Sequence, residues 1–309
     1  MLGALRPYRF FLACCALACG AGWTLGATHP SVITGLCALI LLAGLPHGAF
    51  DWYLLKHRYS PRHFAPAVGA YLGLVALTVL FWWLLPLIFL AAFLAYSAYH
   101  FGDSDWPASS QGQKIAWGTA IVSMPCLLNT DQVAELFATI IAVPDLVAFT
   151  TVVGLLGVPA TLGCILLRHV PARNKAENSA GHWTKPTVCT LLLCYAVACS
   201  AGGPLAGFAC YFACLHGPFH LTRWRQRVPG TGMAAVYGLT GVVLLVIAAA
   251  VLWLPIDDPS AVFGQAAAHL SDAALRYTFV ALAALTVPHM TLLLLNQLDS
   301  DAQLTVSSA

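Results

Sequence analysis

Long apolar stretches separated by short polar ones run along almost the whole chain. A helix that crosses a membrane needs about 20 mainly apolar residues, and ten segments of the chain approach that pattern. They lie near 8–27, 31–55, 66–84, 87–103, 114–130, 145–168, 186–202, 204–222, 232–254 and 274–296. The pattern predicts an all-α, polytopic bundle of about ten transmembrane helices, with eight as the lower bound.

Proline and glycine mark the sharpest boundaries between these segments. Pro86 and the run Gly202-Gly203-Pro204 predict the two tightest turns, because proline cannot continue a preceding helix and glycine favours turns. The segments 87–103 and 186–202 are short enough to be partly re-entrant. Two further stretches, 131–144 and 258–272, have the pattern of amphipathic helices that lie at the surface.

The composition agrees with a membrane protein. Hydrophobic residues make up 60% of the chain and charged residues only 8%, whereas ordinary soluble domains carry about 25% charged residues. We therefore expect residues 1–309 to form a single integral membrane domain. The net charge of +2 and the lack of a long basic run give no indication of nucleic-acid binding. The eleven cysteines include no CxxC pair, and their apolar surroundings favour packing roles.

The basic residues predict the orientation. With the N-terminus in the cytoplasm and strict alternation of the spans, thirteen of the fourteen lysines and arginines fall on the cytoplasmic side, and only Arg276 falls on the other. Positive charge collects on the cytoplasmic side of membrane proteins. The asymmetry predicts an even number of spans in the inner membrane, with both termini in the cytoplasm.

Five of the eleven histidines lie within or at the edges of predicted spans. They belong to spans two, four, eight and ten, which all run toward the cytoplasm. At ~1.5 Å per residue, all five fall in the cytoplasmic half of the bundle, where their rings can meet. Imidazole binds iron, copper and zinc strongly, so the pattern indicates a metal site. The five are His47, His100, His216, His220 and His289.

The residues next to these histidines refine the hypothesis. His216 and His220 are spaced i and i+4, so one helix face offers two nitrogens, and Pro218 between them predicts a kink. Asp51 lies one turn after His47 and can accept the second ring N–H of a ligating histidine. Asp103 can do the same for His100. For Asp105 we prefer a solvated loop position after the helix end.

Four motifs, taken together, resemble the Brp/Blh family of β-carotene 15,15′-dioxygenases. They are GLPHGAFD, AYHFGDSDW, LHGPFH and VPHM, and they occur in that order along most of the chain. The resemblance implies an integral membrane enzyme that uses Fe²⁺. Such enzymes cleave β-carotene at its central double bond with O2. The product is two molecules of all-trans-retinal, which implies a functional link to a microbial rhodopsin.

The resemblance also implies roles for individual residues. His47, His100, His216 and His220 match the iron ligands, whereas His289 can be a ligand, a supporting residue or part of the cavity wall. Asp51 and Asp103 are expected to support the ligands. The aromatic residues near the motifs are expected to line a tunnel for the polyene, and they are Phe50, Tyr96, Tyr99, Phe212 and Phe219, with Trp52 and Phe101 beside them.

Several alternatives remain open at this point. Membrane di-iron hydroxylases use more histidines, in HxxHH clusters that this sequence lacks. A metal or proton transporter also places His and Asp inside the membrane, although we find no inverted repeat. A retinal-binding photoreceptor is excluded, because all four lysines lie in predicted loops. A member of this family that acts on another carotenoid or apolar substrate, or that has lost activity, also stays open, because the shape of the cavity determines the substrate.

Overall fold

The computed structural model describes residues 5–107, 109–167, 184–227, 232–253 and 263–307. Within these ranges the secondary structure is helical and contains no strand, which confirms the predicted all-α class. A short 3-10 turn at Arg6–Tyr8 precedes the first helix. The helices are α1 Arg9–Leu25, α2 Pro30–Arg58, α3 Pro61–Leu84, α4 Pro86–Asp105, α5 Gln111–Leu128, α6 Thr130–Ile141, α7 Val147–Leu155, α8 Gly157–Leu166, α9 Lys185–Gly202, α10 Pro204–Tyr211, α11 Gly217–Arg227, α12 Met233–Trp253 and α13 Phe263–Ser307.

Six helical segments in the described part are long and apolar enough to cross a membrane. The other predicted spans also correspond to helices, namely α4, α5, α12 and the interrupted segment from α10 to α11. Length and composition therefore support six spans, and the count of ten and the position of the termini stay predictions. The six segments are Arg6–Leu25, Pro30–Arg58, Pro61–Leu84, Val147–Leu166, Lys185–Gly202 and Ala268–Leu295.

Both predicted turns are confirmed. Helix α3 ends at Leu84, and α4 begins at Pro86 after the single residue Leu85. Helix α9 ends at Gly202, and α10 begins at Pro204. Gly203 between them has a φ of 94°, a left-handed conformation that glycine adopts without a steric penalty. The helix is therefore interrupted by a single residue at each place.

The sequence predicts two surface segments, 131–144 and 258–272. In the structure the first is a helix with a buried apolar face, and the described part of the second belongs to a longer helix. Helix α6, within 131–144, buries Val133, Ala134, Ile140 and Ile141. Its amphipathic pattern reflects packing against the bundle. The described part of 258–272 is the beginning of the continuous helix α13. The prediction of an amphipathic surface segment is confirmed for α6, whose polar residues Asp131 and Glu135 are exposed. It is wrong for the described part of 258–272, which is not a separate segment.

Helices α4 and α5 pack with their backbones in close contact. A methyl group added at Gly118 of α5 would overlap the carbonyl oxygen of Ala98, and one added at Gly102 of α4 would overlap that of Lys114. Small residues of this kind allow membrane helices to approach closely. The arrangement fixes α4, which carries His100 near its C-terminal end.

We predict that Gly118→Ala destabilises the protein by about 1–3 kcal/mol, because the added methyl group must separate α4 from α5. Thermal unfolding of the detergent-solubilised protein measures the effect. Gly69→Ala is the matched control, since a methyl group there meets no atom within 4 Å. Removing a helical glycine without a clash should stabilise by about 0.5–1 kcal/mol. Equal behaviour of the two variants would contradict the close approach of α4 and α5.

Candidate metal centre and adjoining cavity

Three histidines from three segments of the chain come together inside the bundle. They are His100 near the end of α4, His216 at the end of the π-helical turn Phe212–His216, and His220 in α11. One ring nitrogen from each lies within 4.8 Å of the others. All three side chains are buried. The group has the spacing and the chemistry of a metal centre.

The two histidines of the HxxxH pair are presented by an irregular helix. Between α10 and α11 the chain forms a π-turn, in which the Gly217 N–H donates to the Phe212 carbonyl. Pro218 follows at once; it has no N–H, and in a regular helix its ring would clash with the carbonyl of Cys214. The wider turn accommodates this proline, and it is the distortion that the sequence predicts as a kink. The rings of His216 and His220 stack with centroids 5.3 Å apart.

Asp105 holds His216 in place. Its carboxylate, which is 5% exposed, contacts His216 Nδ1 at 2.9 Å, Trp117 Nε1 at 2.8 Å and the Tyr211 hydroxyl at 2.6 Å. Because a carboxylate only accepts hydrogen bonds, the proton of a neutral His216 is on Nδ1. Its Nε2 then carries the lone pair that a metal requires. This carboxylate–histidine arrangement is typical of metal sites.

The prediction that Asp105 is a solvated loop residue is wrong. Helix α4 continues to Asp105, and the Trp106 N–H still donates to the Gly102 carbonyl. The predicted span stopped at residue 103, so Asp105 was assigned to the wrong environment. The continuation of the helix keeps Asp105 on the buried side of α4. Asp103 instead forms an ion pair of 2.7 Å with Lys114.

A second carboxylate supports His289. Asp51 in α2 is 1% exposed, and it contacts His289 Nδ1 at 2.7 Å and accepts a hydrogen bond of 2.8 Å from the Tyr71 hydroxyl. His289 Nε2 is 3.1 Å from His220 Nε2. With Nδ1 of His289 donating to Asp51, its Nε2 offers a lone pair toward His220. His289 is therefore a neighbour of the three-histidine group.

The remaining predicted ligand is His47. Its backbone lies in α2, one turn before Asp51, and its side chain lies outside the described residues. The sequence predicts that Asp51 supports His47, whereas the histidine that Asp51 contacts in the described part is His289. The ligand role of His47 stays a prediction.

His100 lies among softer partners. Its Nδ1 is 2.8 Å from the Met290 sulfur and 3.4 Å from the Ser104 hydroxyl. The carbonyl of Ser104 accepts a hydrogen bond of 2.6 Å from Arg223 Nη2, which ties α11 to the end of α4. Ser104 is therefore the neighbour of His100 Nδ1 where the sequence suggested Asp103.

An apolar cavity opens from the histidine cluster. Its walls come from α2, α4, α5, α6, α10, the π-turn and α13, and its volume is about 130 Å³. His100, His216 and His289 belong to the lining. The rest of the lining is mainly apolar, which favours a hydrophobic ligand with few polar groups.

The predicted aromatic lining is largely misplaced. Phe212 lines the cavity, and so does Phe101. Phe50 and Tyr96 belong to a separate apolar cluster with Leu54, Met290 and Leu293. Tyr99 lies in a separate groove between α4, α5 and α7. The ring of Phe219 packs beside that of Tyr8, with centroids 5.6 Å apart, and Trp52 is 44% exposed.

The cavity wall also contains residues that were not predicted from the sequence. Pro204, Phe208, Phe212 and His216 follow one another at intervals of four and all line the cavity. Residues at that interval lie on one helix face. The face that contains His216 could therefore have been predicted as cavity wall from the sequence. The glycines Gly44 and Gly48 of α2 and the α13 residues Phe279 and Leu282 had no comparable signal, and they also form part of the wall.

Comparison with known proteins agrees with the motifs. A family profile described as β-carotene 15,15′-dioxygenase matches residues 38–296. The chain belongs to the β-carotene 15,15′-dioxygenase family. A protein of that name from the uncultured marine bacterium 66A03 is 29% identical over 265 residues, which cover 83% of this chain and 90% of the relative. No solved structure gives a significant match.

Membership in the β-carotene 15,15′-dioxygenase family makes the chain an oxidoreductase, and the apolar helices make it a membrane protein. The matched region includes all five histidines discussed above, as well as Asp51 and Asp105. The cluster, its two carboxylates and the cavity are therefore all parts of the segment that defines the family.

We predict that Asp105→Asn lowers the affinity of the cluster for a divalent metal by about 10–100-fold, because loss of a carboxylate partner frees the His216 ring. Metal retention against a competing chelator measures it. Asp103→Asn is the matched control, since that carboxylate pairs with Lys114, and it should retain metal like the unmodified protein. A larger loss in Asp103→Asn than in Asp105→Asn would reverse the assignment.

Proposed function

We propose that this protein cleaves β-carotene at its central 15,15′ double bond with O2, using Fe²⁺, and releases two molecules of all-trans-retinal. One observation carries the proposal: a buried histidine cluster stands at the end of an apolar cavity in a chain of the β-carotene 15,15′-dioxygenase family. The relative's name supports the substrate and the bond.

The donor set fits ferrous iron. His100, His216 and His220, together with His47, would hold the ion through neutral imidazoles, and His289 stands next to His220. The buried carboxylates Asp51 and Asp105 place two negative charges close to the cluster. A buried charge is costly unless an opposite charge is near, so a divalent cation is favoured there.

When bound, the iron would supply the activation of O2 that a closed-shell hydrocarbon requires. The overall reaction balances without an external reductant. Both bonds of the central C=C break, both bonds of O2 break, and two C=O bonds form, so each aldehyde receives one oxygen atom. β-Carotene is symmetric, and a central cut therefore gives two identical C20 products.

The protein's own residues orient the histidine rings and keep water away from the substrate. Asp105 keeps the proton of His216 on Nδ1 and so holds Nε2 free for the metal, and Asp51 does the same for His289. The cavity walls, including Phe101, Phe208 and Phe212, exclude water from the reacting carbons. Exclusion of water prevents side reactions of activated oxygen.

The proposed location follows from the substrate and the charges. β-Carotene dissolves in the membrane, so a site within a helix bundle can receive it from the surrounding lipid. We propose the inner membrane, with the metal centre in the cytoplasmic half and both termini in the cytoplasm, because the histidine end of the bundle also carries Lys56, Lys114 and Arg223. The retinal produced would serve a microbial rhodopsin.

The reaction can be tested in cells that make β-carotene. Cells expressing the protein should lose orange colour and accumulate retinal, or retinol where host reductases act, as chromatography of the pigments would detect. The reaction should require oxygen and stop on chelation of ferrous iron. Unchanged β-carotene, with folded and iron-loaded protein in the membrane, would exclude this substrate and leave an oxygenase for another apolar molecule.

Metal content separates the ligands from other histidines. Purified protein should carry about one iron per chain. His216→Ala and His220→Ala should lose both iron and activity. His63→Ala is the control, because that histidine contacts the Ser60 hydroxyl on the exposed side of α3. Active protein without metal, or activity supported by zinc alone, would contradict the proposal.

The orientation has its own test. Reporter fusions after Arg173 and at the C-terminus should report the cytoplasm, and a fusion near Asp258 should report the opposite side, as expected from the distribution of basic residues. A C-terminus outside the cytoplasm would mean an odd number of spans, and the interrupted segment between α10 and α11 would be the first to re-examine.

A further inference from the structure

The cavity runs along the axis of the bundle. Three of the segments that line the cavity have the same layout: apolar wall residues come first along the chain, and a histidine follows them. These segments are α4, α10 with its π-turn, and α13. In α13 the wall extends from Phe279 to His289, and along α10 and the π-turn it extends from Pro204 to His216. At ~1.5 Å per residue these stretches measure about 15–18 Å. The cavity is thus elongated, with the histidines at one end.

Helix α6 closes the other end. Val133, Leu136, Phe137 and Ile140 all line the cavity, and their spacing of three and four places them on one face of α6. Val133 and Ile140 are buried, whereas Leu136 and Phe137 are partly buried. The amphipathic helix therefore presents its apolar face to the end of the cavity that is distant from the histidines.

Side chains from two other helices hold α6 in position. Arg276 Nε of α13 donates to the Thr139 carbonyl at 2.8 Å, and Trp82 Nε1 of α3 donates to the Ile140 carbonyl at 3.1 Å. The last carbonyls of a helix have no partner within the helix, so these two contacts satisfy groups that would otherwise be left open. The two hydrogen bonds connect the C-terminal end of α6 to α13 and to α3.

A rigid end wall has a consequence for a rigid substrate. A conjugated polyene is a stiff rod, so once its tip meets the wall, the distance from wall to cluster selects the double bond that lies at the histidines. The extended C20 half of β-carotene has a length of the same order as the cavity.

We propose that α6 is the end stop of the cavity and that its apolar face determines which double bond of the polyene is cleaved. The proposal deepens the proposed function and rests on it. The stoichiometry of the cleavage is the same for every double bond of the polyene. One C=C is replaced by two C=O groups, and both oxygen atoms come from O2. The positions that determine the cut are Leu136 and Phe137, which line the cavity and are only partly buried.

Phe137→Ala is the direct test. Loss of the ring deepens the cavity, so the rod can slide inward and an off-centre double bond reaches the cluster. Cells making β-carotene should then yield two unequal aldehydes besides retinal. Because changes of this size in an apolar pocket alter discrimination by about tenfold or more, the ratio of unequal aldehydes to retinal should rise about tenfold or more. Mass spectrometry of the extracted aldehydes gives the ratio.

Leu136→Phe tests the opposite change. The larger ring shortens the cavity, so the share of retinal should fall again, this time because the rod stops too early. Phe137→Leu, a milder change, replaces Phe137→Ala where that variant does not accumulate in the membrane. The iron content of each purified variant should equal that of the unmodified protein, since α6 offers no ligand, and this measurement separates a shifted substrate from a damaged metal centre.

The control is Phe81→Ala. Phe81 is a partly buried phenylalanine of α3, and its ring packs edge-on against that of Phe89 with centroids 6.1 Å apart. The described cavity wall does not include Phe81. It should give retinal alone. If the unmodified protein makes no aldehyde, the proposed function fails and the end stop fails with it. If it makes retinal and the α6 variants give the same product ratio, the end stop alone is wrong.

Discussion

Two carboxylates buried among apolar helices determine most of the architecture around the candidate site. Asp105 and Asp51 are almost inaccessible to solvent, and a buried charge must find donors within the protein. Asp105 finds them on α5, α10 and the π-turn, and Asp51 finds them on α3 and α13. Each carboxylate thus connects helices that are distant in sequence, and each orients one histidine. Helix packing and the geometry of the candidate metal centre therefore depend on the same pair of groups.

The close packing of α4 on α5 serves the same arrangement. Trp117, which donates to Asp105, is one residue before Gly118, where the backbones of the two helices meet. If the helices were farther apart, the indole N–H would not reach the carboxylate. The small residue at the interface and the polar contact beside it act together, as is common where helices associate without a strong hydrophobic driving force.

Some of this could be predicted from the sequence, and some could not. Hydropathy predicted helices at every span, and the depth of the histidines predicted that several of them meet. The candidate ligand His216 and the distorted helix at Pro218 also follow from short-range patterns. Asp105 was misjudged because the end of α4 was placed two residues too early. The partnership of Asp51 with His289 and the position of α6 depend on contacts between segments 58 to 238 residues apart. The periodicity of the sequence carries no information about such contacts.

The π-turn also affects which way the helix surface faces. In a regular α-helix, residues spaced by four turn slowly around the axis, by ~40° at each step. Phe208, Phe212, His216 and His220 are spaced in this way, so an unbroken helix would carry the last of them away from the first. A π-turn winds less per residue and offsets this rotation. The extra residue of the π-turn therefore cancels part of the rotation of the helix face. As a result, one continuous segment lines the apolar cavity with Phe208 and Phe212 and also directs the imidazoles of His216 and His220 to the cluster.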